Sequence, residues 1–92
     1  MKVIVKFFGP LGEQIGRESV AIELSPGAVF GHLLEALGER FGSRFQAGLW
    51  DAEQKAFKAG ILVIGAGRDL NDRDMPLQDG EEIKIVPLLG GG

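Results

Sequence analysis

The sequence predicts a small α+β domain, and three observations carry that expectation. Segments near both ends alternate apolar and polar residues with the period of a half-buried strand, and one stretch in the first half repeats apolar residues at helical spacing. Strand-like segments lie on both sides of that helix, which is long and one-sided enough to need a sheet to pack across. A chain of 92 residues is one domain with one hydrophobic core. Its 45% apolar and 25% charged residues are ordinary globular values, so it is expected to fold alone.

From Lys2 to Phe8, Val3, Val5 and Phe7 fall on one side and Lys2 and Lys6 on the other. Ile4 and Phe8 share the lysine side, so this outer face is not purely polar and is a candidate contact surface. Gly9, Pro10, Gly12 and Gly16 break the pattern. Val20, Ile22 and Leu24 then alternate with Ala21 and Glu23 as a second strand, expected to form an antiparallel hairpin with the first. Ser25-Pro26 reads as a helix start, with a serine oxygen to accept free N–H groups and a proline where no donor is needed. Phe30, Leu33, Leu34, Leu37 and Phe41 line one helical face, and Gly42 is placed to close the helix in the left-handed conformation. Gly31 and Gly38 would each weaken an exposed helix by about 1 kcal/mol relative to alanine, which a closely packed backbone would explain.

Residues 43 to 59 have no firm period and are read as an extended connection. Its aromatic residues, Phe45, Trp50 and Phe57, are expected to pin it over an edge of the core. Ile61 to Ile64 is an uninterrupted apolar run, the pattern of a central strand buried on both faces. Gly65-Ala66-Gly67 makes a turn, Arg68-Asp69-Leu70 a very short strand, and Asp79-Gly80 a tight turn. Ile83 and Ile85 alternate with Glu82, Lys84 and Val86 as the last strand, ended by Pro87. Residues 1 to 87 therefore form the domain, a sheet of four to five strands with one main helix across it, and residues 88 to 92 a flexible glycine tail.

Much chemistry is excluded. With no cysteine there is no disulfide, thiolate metal site or thiol nucleophile. A net charge of -3 with scattered Lys and Arg disfavours nucleic acid. There is no apolar run long enough to span a membrane, so the cytoplasm is expected. The single histidine, His32, builds no metal site alone and reads as an exposed helix residue. Asp69, Asp72, Asp74 and Asp79 sit in turn-forming company, where aspartate bonds to its own backbone. Gly65-Ala66-Gly67 lacks the third glycine and the following helix of a nucleotide site. No serine has a base partner that the sequence suggests, so an intrinsic catalytic centre has no support.

What remains is Pro87-Leu88-Leu89-Gly90-Gly91-Gly92. With 15 glycines in 92 residues, three given positions are all glycine by chance roughly 0.4% of the time. Without Cβ atoms such a tail is thin, and its terminal carbonyl is open from either face. The Gly92 carboxylate is the candidate working group, set against the bland reading of a frayed terminus.

The opening strand Val3 to Phe8, the Ser25-Pro26 pair, Gly67-Arg68-Asp69, Pro76-Leu77 with Asp79-Gly80, and the closing Ile83 to Gly92 together resemble the MoaD/ThiS family of sulfur carriers. The resemblance covers most of the chain and implies a ubiquitin-like β-grasp fold with the first and last strands parallel. It also implies a carrier rather than an enzyme, with no bound cofactor. A MoeB/ThiF-like partner would use ATP to adenylate the Gly92 carboxylate, and a persulfide protein would supply sulfur to leave a thiocarboxylate. Leu88, Leu89, Gly90 and Gly91 would thread the tail into that partner, and Ile4, Phe8, Lys84 and Val86 would dock it. Length and the 43 to 59 connection look most like the small subunit of molybdopterin synthase, whose large subunit would be a second partner. The third glycine departs from the family's usual two, so Gly91 becomes the acceptor if Gly92 is trimmed. Three alternatives are a modifier joined to target lysines, a carrier for thiamine, cysteine or transfer-RNA thiolation, and a binding module with an inert tail.

Overall fold

Strands β1 (Lys2–Phe7) and β2 (Ser19–Glu23) pair antiparallel, with Val3 opposite Ile22 and Val5 opposite Val20, all four buried. The computed structural model describes residues 1–46 and 48–88. Between the two strands lies a helix that the glycines concealed, α1 (Pro10–Ile15). Pro10 occupies its first turn, where a missing donor costs nothing, and Leu11 and Ile15, four residues apart, are both buried. Gly16 ends it in the left-handed conformation at φ 82°, donating its N–H to the Gly12 carbonyl at 2.9 Å.

Helix α2 (Phe30–Phe41) buries the stripe read from the sequence, Phe30, Leu33, Leu34, Leu37 and Phe41. It does not start at Ser25-Pro26. That pair opens a turn closed by the Ala28 N–H on the Ser25 carbonyl at 3.1 Å, with Gly27 at φ 82° supplying the positive angle the turn requires. Val29 then bridges to Pro76, which keeps this segment extended. The helix's first donors are satisfied from outside it: Phe30 N–H meets the Met75 carbonyl and Gly31 N–H the Arg73 carbonyl, each at 2.8 Å. His32 is exposed, and its Nδ1 accepts the Val29 N–H at 3.0 Å, a cap that the sequence reading did not foresee.

Gly42 is right-handed (φ -53°, ψ -38°), and the chain continues as a 3-10 turn, Gly42–Arg44. The helix glycines exist because something lies against them. A Cβ on Gly38 would stand 3.0 Å from the Trp50 ring, and one on Gly31 3.3 Å from Arg73. The connection is not featureless: β3 (Trp50–Asp51) and β4 (Ala56–Phe57) form a small hairpin. Trp50, Phe57 and Phe45 have ring centroids 4.8 to 5.3 Å apart, and Phe45 reaches Phe7 at 6.4 Å, so aromatic contacts pin the segment to the core as expected.

Three further strands, β5 (Ile61–Gly65), β6 (Arg68–Asp69) and β7 (Glu82–Pro87), complete a mixed sheet of order β2-β1-β7-β5-β6. β7 runs parallel to β1, with Val5 opposite Ile83 and Phe7 opposite Ile85, and antiparallel to β5. This is the β-grasp arrangement implied by the resemblance. One expectation fails: the apolar run in β5 is not a central strand buried on both faces. Only Val63 and Gly65 are buried, and the pairing with β6 ends at the Leu70 N–H on the Val63 carbonyl, 2.8 Å, so Ile61 and Leu62 lie near an open edge. The run is apolar on both sides because one side joins the core and the other an outer apolar surface.

Candidate functional site

β7 leads into the tail, and as the middle strand it has a neighbour on each side. Its inward residues Ile83 and Ile85 are fully buried, whereas Glu82, Lys84 and Val86 face outward, away from the core. Register sets their outer neighbours: Glu82 lies beside Ile4, Lys84 between Lys6 and Ile64, and Val86 beside Leu62. Ile4, Leu62, Ile64 and Val86 are half-buried, and Phe8, just past β1, is 43% exposed with its N–H on the Ile85 carbonyl at 3.0 Å.

Three of the four docking residues named from sequence, Ile4, Lys84 and Val86, therefore share the outer face, with Phe8 at its end. Lys84 neighbours Lys6 and Ile64 rather than Ile4. Leu62 and Ile64 were missed because an unbroken apolar run reads as doubly buried. The Lys6–Glu82 ion pair, 3.3 Å long with both side chains nearly half exposed, contributes little stability.

The root of the tail is held by two turns. Leu88, 58% exposed, donates its N–H to the Gly60 carbonyl at 2.6 Å, extending the β5–β7 ladder by one bond. Gly9, at φ 62°, brings its backbone close to Pro87, where a Cβ would lie 3.7 Å from the proline ring. Leu89, Gly90, Gly91 and Gly92 lie outside the described residues.

A buried ion pair fixes the segment entering β7. Glu81 is 4% exposed and receives the Arg68 guanidinium at 2.8 Å, the Ala66 N–H at 2.8 Å and the Gln78 N–H at 3.0 Å. Arg68 also donates to the Pro76 carbonyl at 2.6 Å. Burial pushes the Glu81 carboxyl up, but the hydrogen bonds from Ala66, Arg68 and Gln78 and the arginine charge together outweigh it and hold the pKa below the ordinary value. Gly65 is glycine because a Cβ there would strike Glu81 Oε2. Nothing in the sequence marked Glu81, which directly follows the Asp79-Gly80 turn.

Of the four aspartates Asp72 takes the turn role expected, accepting the Asp74 N–H at 2.8 Å, whereas Asp79 reaches across the fold to accept the Lys2 N–H at 2.9 Å and Asp69 lies in β6. Among the described residues no cluster of His, Cys, Asp and Glu is suited to a metal, and no helix is long and apolar enough to cross a membrane.

A family model described as the ThiS family matches residues 5–92. Among solved structures, SAMP1 from Haloferax volcanii is similar with a TM-score of 0.82 at 21% identity, over 100% of both chains. A chain in the complex of subunits 1 and 2 of the molybdopterin-converting factor from Helicobacter pylori is similar with a TM-score of 0.64 at 25% identity, again over 100% of both chains. A chain of the BexX/CysO complex from Amycolatopsis orientalis gives 0.70 at 22% identity, over 98% of this chain and 99% of that one. A search of curated protein sequences found no match.

Proposed function

The chain belongs to the ThiS family, and on that premise we propose that it is a sulfur carrier whose terminal glycine carboxylate is the reactive group, acting in molybdopterin synthesis as a small synthase subunit. The observation that carries this reading is the family match running through Gly92, joined to a central strand that leads directly into the tail and bonds Leu88 to Gly60. The likeness to a subunit of the Helicobacter pylori molybdopterin-converting factor supports the pathway.

A Gly92 carboxylate oxygen attacks the α-phosphorus of ATP on an adenylating partner, and pyrophosphate leaves. A persulfide sulfur then attacks the acyl carbon and AMP departs. A thiol reduces the resulting acyl disulfide, releasing the thiocarboxylate. The chain supplies the acyl group and the outer face formed by Ile4, Phe8, Lys84 and Val86, with Leu62 and Ile64 beside them, by which partners recognise it. The partner supplies the ATP site.

The test is incubation with an adenylating enzyme from the same source, ATP and a persulfide donor, read by mass spectrometry. The expected product exchanges one oxygen for sulfur at the terminal glycine. Deleting Gly91 and Gly92 together is expected to abolish it. Deleting Gly92 alone fixes the register: equal or better thiocarboxylate formation makes Gly91 the natural acceptor. Full reaction by the double deletion overturns the proposal, and covalent ladders on target lysines without thiocarboxylate would make the chain a modifier instead.

A further inference from the structure

The sheet has two edges, and they are treated differently. One ends in β6, two residues long. The other is β2, a regular strand of five residues without proline, lysine or bulge, the features that ordinarily blunt an edge. The Leu24 N–H on the Met1 carbonyl and the Phe7 N–H on the Glu18 carbonyl, both 2.8 Å, fix the phase of the β1–β2 ladder. Even-numbered residues of β2 therefore bond to β1, and Ser19, Ala21 and Glu23 turn their N–H and C=O groups to the open side. Among the described residues, the bond reaching these groups is Arg40 Nη1 on the Ala21 carbonyl, long at 3.4 Å.

A cleft of about 410 Å³ runs beside this edge, between β2 and α2. Ala36 and Glu39 of the helix line it on the core side of the edge, and Ala21 and Glu23, on the outer side of the strand, border it. Arg40, resting over the Phe41 ring at 5.1 Å, is the cation within it. The edge is thus open for hydrogen bonding and has an acidic residue on each side, Glu23 on the outer one and Glu39 on that of the helix.

We propose that the β2 edge docks an extended, lysine- or arginine-bearing segment of a partner protein as an added strand. Main-chain bonds to Ser19, Ala21 and Glu23 would give the affinity, and basic side chains beside Glu23 and Glu39 the selectivity. A second copy of this chain fits less well, since pairing edge to edge would bring two acidic clefts together on chains of net charge -3. The surface borders the outer sheet face, where Ala21 is paired with Ile4, but it uses the main-chain groups of the edge and not that face or the tail root, so it stands whether or not the carrier reading does.

The experiment titrates the isotopically labelled full chain with a capped peptide of repeated Val-Val-Lys-Lys, which as a strand offers lysines to both sides of the edge, followed by amide chemical shifts. Saturable shifts are expected at Ser19, Ala21, Glu23 and along Ala36 to Arg40. Ala21→Pro removes an edge donor while sparing the β1 ladder, and is expected to weaken binding about tenfold, as is methylation of alternate peptide nitrogens with the protein unchanged. Glu23→Lys with Glu39→Lys should weaken it further and favour a valine–glutamate peptide. No shifts at this edge, or shifts indifferent to both Ala21→Pro and N-methylation, overturn the proposal. So does concentration-dependent dimerisation abolished by Ala21→Pro, which would assign the edge to a second copy.

Discussion

Single residues carry more of this fold than their types suggest. Removing the Arg68 guanidinium leaves the buried Glu81 carboxylate only the Ala66 and Gln78 N–H groups, so Arg68→Ala is expected to cost about 3 kcal/mol, measured by urea denaturation. The pair also sets an acid limit. The Glu81 pKa is lower folded than its unfolded value of 4.5, so its contribution is complete well above pH 4.5 and is lost as the pH falls toward the folded pKa. Glu81→Gln should be less stable at neutral pH and show a flatter loss of stability on acidification than the parent. An acid profile identical in both would show that the carboxylate is not held as described. The sequence did not show this pair, because burial of one acid among Asp79, Glu81 and Glu82 depends on Gly65 clearing space from a distant strand.

Elements were legible where local pattern and tertiary packing agree. The α2 stripe is such a case, and Leu34→Ala or Leu37→Ala, both at buried positions, should each destabilise by about 2 to 5 kcal/mol in urea. An unchanged midpoint would mean the stripe does not face the sheet. The first and last strands were found where expected, from the alternation of their inward residues Val3, Val5 and Phe7 and Ile83 and Ile85. Their parallel pairing was not visible in either and came only through resemblance. α1 was hidden because Gly12 and Gly16 mimic loop composition, yet Leu11 and Ile15 at helical spacing were a readable signal. The start of α2 was misplaced because its caps, the Arg73 and Met75 carbonyls and the His32 ring, are mostly distant in sequence. β5 was misread because a strand between core and outer patch is as apolar as one buried twice.

For the molecule as a whole, the core and the proposed docking surface occupy opposite faces of one sheet, so folding and partner binding should separate on mutation. Phe8→Asp is expected to leave the melting temperature nearly unchanged while lowering affinity for the adenylating partner, measured by titration calorimetry; unchanged affinity would remove Phe8 from the contact. The candidate site itself was partly legible: Ile4, Lys84 and Val86 were placed by alternation, while Leu62 and Ile64 required the sheet order. The bond from Leu88 to Gly60 carries one more consequence, which is metric. Gly92 is four residues on from Leu88, and at roughly 3.3 to 3.6 Å each they span at most about 14 Å. The domain is thereby a depth gauge: any enzyme acting on Gly92 must bring its nucleotide within that distance of the Gly60 turn, and a deeper site is out of reach unless that bond breaks.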